Sequence, residues 1–349
     1  MKTSIFSMLF ACALFLAAHF QAFAHPAWAI VVDDKNQVYV SDLERIWKID
    51  AEGKVSILVE KHTHEMTFDK DGNLLGEELH YEPSTEKYTA SLWKITPSGD
   101  ISYVLAPTET PPKGISIWKN QTGDTFYSGQ TAAAPYEFFL LKRSAKGSVK
   151  VLLGDRERAL RERQIVPYSL GGMAFAADGT LFVKNSSTVW KVAPGDRVSI
   201  FADKENLSPT APDPMLFGIA IDEGNNVYTA DFNNKKILKI APDKSVAIAV
   251  QSETGWSPTG VYYRNKNLYV LEGKDAAGGV RVQKISPDGR ASTVATIGGN
   301  SSNSPNNSNN RNSSNTVYVN RFQSTGQSTK TCLGIGLIIA CVCFVFRRK

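Results

Sequence analysis

Between Ala13 and Thr331 the chain has no cysteine; the four it carries are Cys12, Cys332, Cys341 and Cys343. Disulfides are therefore excluded from the whole central region, which must hold itself together without them even in an oxidising compartment. Histidine is also scarce. Beyond the first 24 residues only His25, His62, His64 and His80 occur, so nothing after residue 80 can offer an imidazole to a metal centre. Excess charge is missing as well. The formal net charge is +5, but Lys2, Arg347, Arg348 and Lys349 lie in the end segments, leaving 35 basic residues against 34 acidic ones. A nearly neutral body gives no electrostatic case for binding nucleic acid.

What is present is a repeat. Gly218 to Ile240 (GIAIDEGNNVYTADFNNKKILKI) reads as three short strands joined by Gly, Asn and Asp turns. Such a unit cannot bury both faces alone. Its first strand and turn recur as Ala29–Val40, Glu65–Leu75, Gly114–Tyr127, Gly172–Val183 and Gly260–Val270. The third strand recurs around a lysine: Lys48, Lys94, Lys142, Lys191, Lys239 and Lys284, spaced by 46, 48, 49, 48 and 45 residues. A fourth alternating strand follows, as at Val55–Val59, Ile101–Leu105 and Val198–Phe201. Four strands in 40 to 50 residues is the period of a propeller blade. The expected fold is all-β: a six-bladed β-propeller of four-stranded antiparallel blades over residues 25–297, monomeric.

The ends read as targeting segments. Residues 1–24 have a charged start, an apolar run from Ile5 to Ala18 and an Ala22-Phe23-Ala24 cleavage site, as expected of a secretory signal. A lipobox at Leu9–Cys12 is the alternative. Cleavage after Ala24 exposes His25, whose amine and imidazole could chelate copper. Residues 298–330 are Asn/Ser-rich, too polar to fold, and read as a flexible spacer; Thr316–Val319 within them is a lone strand-like run. Residues 331–346 are apolar and precede the basic stop 347–349. Sixteen residues of helix span about 24 Å, short of a ~30 Å bilayer core, which flanking Lys330 and Arg347 can partly make up. The expectation is a single-pass anchor with the propeller outside, or a processed sorting tail.

Blade five resembles an NHL repeat, with Gly-Ile-Ala-Ile-Asp, a Gly-Asn turn, Val-Tyr-Thr-Ala-Asp and then Lys-Ile. Blades one, two and four (AIVVDDKNQVYVSD, EMTFDKDGNLLGE, GMAFAADGTLFVKN) are similar. The resemblance extends to the wider six-bladed group of gluconolactonase-like lactonases, arylesterases and strictosidine-synthase-like proteins. It implies that ligand sites form where the residue before each first strand meets the end of each second strand, around the axis. Trp28, His64-Glu65, Lys113, Gly171, Phe217 and Thr259 hold the first position. Asp42, Glu77, Gly129-Gln130, Asn185, Asp231 and Glu272 hold the second. Lactonases of the group hold a divalent cation, typically through a Glu and Asn or Asp steps. Glu65 matches, whereas Gly171-Gly172, Phe217-Gly218 and Thr259-Gly260 replace the other steps. A different Ca²⁺ site could draw on Glu65, Glu77, Asn185, Asp231 and Glu272; alternatively these groups cap turns and pair with the lysine ring.

Chemistry-bearing residues are densest in blade two. Folding about Asp71-Gly72 sets His64 and Glu65 opposite Glu77 and Glu78, with His80 following. Imidazoles beside carboxylates can ligate zinc or act as acid and base, so His64 and Glu65 are the catalytic candidates. NHL-type amidating lyases gather histidines from several blades onto one zinc, a set this chain lacks. The lysine stems are expected to pad the blades, with Trp47, Trp93 and Trp190 as core between them. Arg156–Gln164 is expected to form a short solvated helix. Loops at Glu82–Tyr88 and Thr131–Pro135 extend blades two and three. Two functions follow: a membrane-tethered module presenting one face to an extracellular protein, peptide or glycan, or a calcium-dependent hydrolase with a site at the tunnel.

Overall fold

Among the described residues the strands form six antiparallel sheets of four strands each. The computed structural model describes residues 27–298 except 83–84, 86, 132–136, 162–164, 168–171, 211 and 275–278. The expected signal, spacer and anchor segments therefore lie outside the described residues, as do residues 83–84 and 86 of one blade-extending loop and most of the other. Among the described residues no helix is long and apolar enough to cross a membrane.

Blade one is β1 (Ile30–Val32), β2 (Val38–Ser41), β3 (Ile46–Ile49) and β4 (Val55–Val59). Blade two is β5 (Met66–Phe68), β6 (Leu74–Glu82), β7 (Lys87–Ile95) and β8 (Ile101–Thr108). Blade three holds β9 (Thr125–Thr131), β10 (Phe138–Arg143), β11 (Val149–Leu153) and β12 (Ile165–Pro167), with helix α1 (Arg156–Arg161) between the last two. Blade four is β13 (Met173–Phe175), β14 (Leu181–Lys184), β15 (Val189–Ala193) and β16 (Arg197–Ala202), followed by the single-turn α2 (Lys204–Leu207). Blade five runs β17 (Leu216–Ile221), β18 (Val227–Asp231), β19 (Lys236–Ile240) and β20 (Val246–Gln251). Blade six runs β21 (Trp256–Arg264), β22 (Asn267–Lys274), β23 (Val280–Ile285) and β24 (Ala291–Ile297).

Side chains alternate across each sheet, so neighbouring blades share their apolar faces. In β2, Val38 and Val40 pack with Tyr269, Leu271 and Val282 of blade six, while Tyr39 packs with Met66, Leu74 and Trp93 of blade two. Similar clusters join blades three to four, four to five and five to six. Blades one and six are each complete in consecutive strands, so the ring closes without exchanging a strand between them. Its closure rests on that shared core, with Asn265 Nδ2 donating to Asn36 Oδ1 at 2.9 Å and an Arg264–Asp34 ion pair outside it. Between Gly260 and the Trp28 backbone there is no room for a side chain, since a Cβ there would lie 2.3 Å from the Trp28 carbonyl oxygen.

Four of the six repeated lysines lie over strand-two aromatics. Lys48 sits over Tyr39, Lys142 over Phe126, Lys239 over Tyr228 and Lys284 over Tyr269, each 5.8–5.9 Å from the ring centre. Each is the direct cross-strand partner of its aromatic residue, so the stem covers the ring, and the Lys142 ammonium goes on to pair with Asp124 and Asp196 at 2.9 and 3.0 Å. Trp93 is fully buried and Trp47 nearly so, while Trp190 stacks on Phe138 at 5.3 Å.

Two expectations need correction. In blade three no regular first strand forms within Gly114–Tyr127. The Ile117 amide, which a strand would give to its neighbour, instead donates to Glu77 Oε1 of blade two at 3.3 Å. Ser116 Oγ takes the Trp118 amide, leaving an isolated Lys119–Thr125 bridge beside β9. The fourth strand of the sheet is supplied late, by β12 against Gly129, Gln130 and Thr131. The helix α1 is also not simply solvated. Ala159 is buried with Tyr127, Phe139 and Leu141, and its carbonyl accepts Lys113 Nζ at 2.6 Å, so α1 caps blade three.

Candidate functional site at the ring axis

The register of the first two strands decides which side chains meet. The amides of Ser41, Glu77 and Lys184 donate to the carbonyls of Ala29, Glu65 and Gly172 at 3.1, 3.3 and 3.2 Å. These are three equivalent places in blades one, two and four, each joining a pre-strand residue to the end of a second strand. Glu65 and Glu77 thus face one another within blade two. Gly172 occupies in blade four the place Glu65 occupies in blade two.

Gly172 leaves a gap that two charged groups use. A Cβ on it would lie 3.6 Å from Glu65 Oε1 and 3.5 Å from Lys184 Cε. Lys184 is 1% exposed, yet its ammonium donates to the Leu216 carbonyl at 3.0 Å. Glu65 Oε1 accepts the Trp28 indole N–H at 3.1 Å. Burial pushes the Glu65 carboxyl up and the Lys184 ammonium down from their ordinary pKa values, and the attraction between them opposes both shifts. Glu77 adds like charge beside Glu65 and is itself raised by burial, against hydrogen bonds from Ser116 Oγ at 3.0 Å and the Ile117 amide. Tyr127, also buried near Glu77, has its hydroxyl pKa pushed far up by desolvation and that carboxylate.

Trp28 ties this axial group to a second one. Its ring stacks on His64 at 5.0 Å and leans on Phe217 at 5.5 Å. His64 Nε2 in turn lies 3.2 Å from His62 Nε2. Strand alternation separates the two catalytic candidates: the Glu65 carboxylate meets Trp28 and Lys184, whereas the His64 imidazole meets His62. Glu78, opposite His64, is held by Lys61 Nζ and Ser91 Oγ, both at 3.2 Å, and His80 is exposed.

The remaining sequence candidates have other partners. Asp42 takes the amides of Glu44 and Arg45 and the Trp47 indole at 2.9, 2.7 and 2.6 Å. Asn185 accepts from the Ser187 and Thr188 amides at 3.0 and 2.9 Å. Asp231, buried, accepts from Asn234 Nδ2 at 2.7 Å and from the Asn234 and Met215 amides. All three are turn caps, one residue beyond the axial place. Glu272 is buried against Arg281 Nε at 2.6 Å, and Gln130 lies within β9 between β10 and β12. The sequence reading missed Lys184 and Ser116. Lys184 could have been found as the one charge ending the apolar run Leu181-Phe182-Val183, in step with Glu77.

This donor set does not suit the divalent cation of the calcium-dependent propellers. An ammonium lies beside the one matching carboxylate, and the second carboxylate is spent on a loop. Among the described residues no group of three or more His, Cys, Asp or Glu side chains is placed to hold a metal ion.

Neither a family profile nor a curated sequence matches the chain. Solved structures do. A predicted gluconolactonase is 14% identical with a TM-score of 0.50, covering 71% of this chain and 87% of its own. Regucalcin of Agrobacterium tumefaciens, described as a calcium-binding protein, is 13% identical with a TM-score of 0.49, covering 72% and 84%. Virginiamycin B lyase of Staphylococcus aureus is 13% identical with a TM-score of 0.44, covering 77% and 83%. The chain is a six-bladed propeller with structural neighbours in that group. At this identity the likeness shows the fold alone.

Proposed function

We propose that the protein is a binding module: an NHL-type propeller, exported and tethered by its C-terminal segment, that presents one face to an extracellular protein, peptide or glycan. The observation that carries this reading is the neutralisation of the axial group. Glu65 is balanced by Lys184 and bonded by Trp28, and Glu77 is engaged by Ser116 and Ile117. Both carboxylates of this axial group therefore hold the ring together where blades one, two, three and four come close. A pre-balanced, rigid centre suits recognition better than a lactonase mechanism, which needs a cation to polarise the ester carbonyl.

The test is a paired screen of the full-length chain. Glycan and peptide arrays should yield a ligand whose binding is indifferent to chelator. A panel of lactones and aryl esters, with and without added Ca²⁺, should show no turnover above that of heat-denatured protein. Calcium-dependent turnover that disappears in Glu65→Gln would replace the binding reading with the hydrolase one.

A further inference from the structure

The pair His62–His64 has the geometry of a metal chelate. Residues two apart on an extended segment place their side chains on one side, and here both Nε2 atoms converge to 3.2 Å. An ion bound by two imidazoles at about 2.0–2.1 Å holds the nitrogens about 2.9–3.4 Å apart, between right-angled and tetrahedral bites. The rings are held in place independently. His64 is stacked on Trp28 with planes 17° apart. His62 has the Leu43 backbone as a hydrogen-bond partner. Leu43 itself adopts φ of 76°, a region a bulky side chain rarely enters. Its amide is held by Ser41 Oγ at 3.0 Å, and Ser41 Oγ donates to the Thr63 carbonyl between the two histidines at 2.8 Å. A strained turn in blade one thus braces the histidine segment of blade two.

We propose that His62 and His64 form an open binding site for a borderline transition-metal ion, Zn²⁺, Ni²⁺ or Cu²⁺, through their Nε2 atoms. Water or an external ligand completes its coordination. Imidazole selects these ions over Ca²⁺ and Mg²⁺, which take oxygen donors. Glu78 supplies negative charge close by, and exposed His80 lies near enough to influence His62. The site is distinct from the Glu65–Lys184 group and does not depend on the binding reading above.

The experiment is calorimetric titration of the chelator-stripped full-length chain with each metal salt alone, followed by continuous-wave EPR of the Cu²⁺ form. One Zn²⁺, Ni²⁺ or Cu²⁺ per chain is expected, with nitrogen hyperfine splitting from two imidazoles and no heat from Ca²⁺. His62→Gln should weaken Zn²⁺ and Ni²⁺ at least tenfold while leaving the circular dichroism spectrum and Tm unchanged, because His62 is half-buried and lies outside the strands. His64→Gln should do the same but can disturb Trp28, so His62→Gln is the deciding variant. His80→Gln should alter affinity by less than threefold. Absence of binding, or binding that survives His62→Gln, overturns the proposal and leaves the two rings a hydrogen-bonded pair only.

Discussion

Replacing Lys184 by methionine tests the axial pair most directly. Methionine has similar length and fills the site without a cavity, so the change removes one charge from beside Glu65. Removing one of two opposite charges that share a desolvated site costs up to about 3–5 kcal/mol, because the remaining charge is stranded. In the native protein burial shifts the two groups in opposite directions, and each single variant leaves one of those shifts without its counterweight. In Lys184→Met the Glu65 carboxyl, already raised by burial, loses the attraction that opposed the rise. Its folded pKa then lies well above its unfolded one, so the folded state binds more protons. Stability is full below the unfolded value and is lost as pH climbs toward the folded value, at about 1.4 kcal/mol per unit. The converse variant, Glu65→Gln, strands Lys184, whose folded pKa is lowered by burial. There the unfolded state binds more protons, and stability rises with pH. Thermal melts from pH 5 to 9 should therefore tilt in opposite directions. With roughly 2–4 °C per kcal/mol for a domain of this size, Lys184→Met should lose about 5–10 °C between pH 5 and pH 8. The double variant should be flat and recover most of the loss. Two single variants with profiles parallel to native would refute the claim that these groups are coupled.

Leu271 is fully buried at the junction of blades six and one, so Leu271→Ala should cost about 2–5 kcal/mol in chemical denaturation, whereas Ile248→Ala, on an outer strand and 58% exposed, should cost under about 0.5 kcal/mol. Equal effects would mean that this junction is not what closes the ring. Gly260→Ala drives a methyl into the Trp28 carbonyl and should lower stability by about 1–3 kcal/mol in the same assay, through a backbone shift at that junction. Asp231→Ala strands the Asn234 and Met215 donors and should cost about 1–3 kcal/mol without changing ligand or metal affinity; Asp231→Asn should be milder, since an amide oxygen can still cap the turn. A ligand-specific defect in Asp231→Ala at unchanged Tm would move that residue from cap to binding surface. Millimolar Ca²⁺ or EDTA should leave the native Tm unmoved within a degree, and a calcium-dependent rise would restore a cation to the axis.

The ring was legible because its physics repeats. Six alternations of β-branched strand, Asx/Gly turn and lysine-centred strand each demand a neighbour, and the spacing leaves no slack for another architecture. The turn chemistry was legible too: the Asn225 and Gly72 turns adopt the left-handed φ their residues favour. The site was harder because it depends on parity. A one-residue step along a strand exchanges an axial side chain for a turn cap, and the Asp or Asn that attracts the eye at the end of β2, β14 and β18 is the cap. At Lys184 the axial residue is one place earlier, in a run that reads as ordinary core. Blade three shows the other limit. Ile117 looks like strand, and no local signal reveals that Glu77, 40 residues away, takes its amide. A buried carboxylate that must find donors will outbid a weak edge strand for them, since leaving it unsatisfied costs more than losing one ladder bond. The fold is therefore written in repeated local preference, while the axial chemistry is written in the exceptions: Glu65, Glu77 and Lys184 at places where the other blades carry small or neutral residues such as Ala29, Gly172, Ser41 and Ala230.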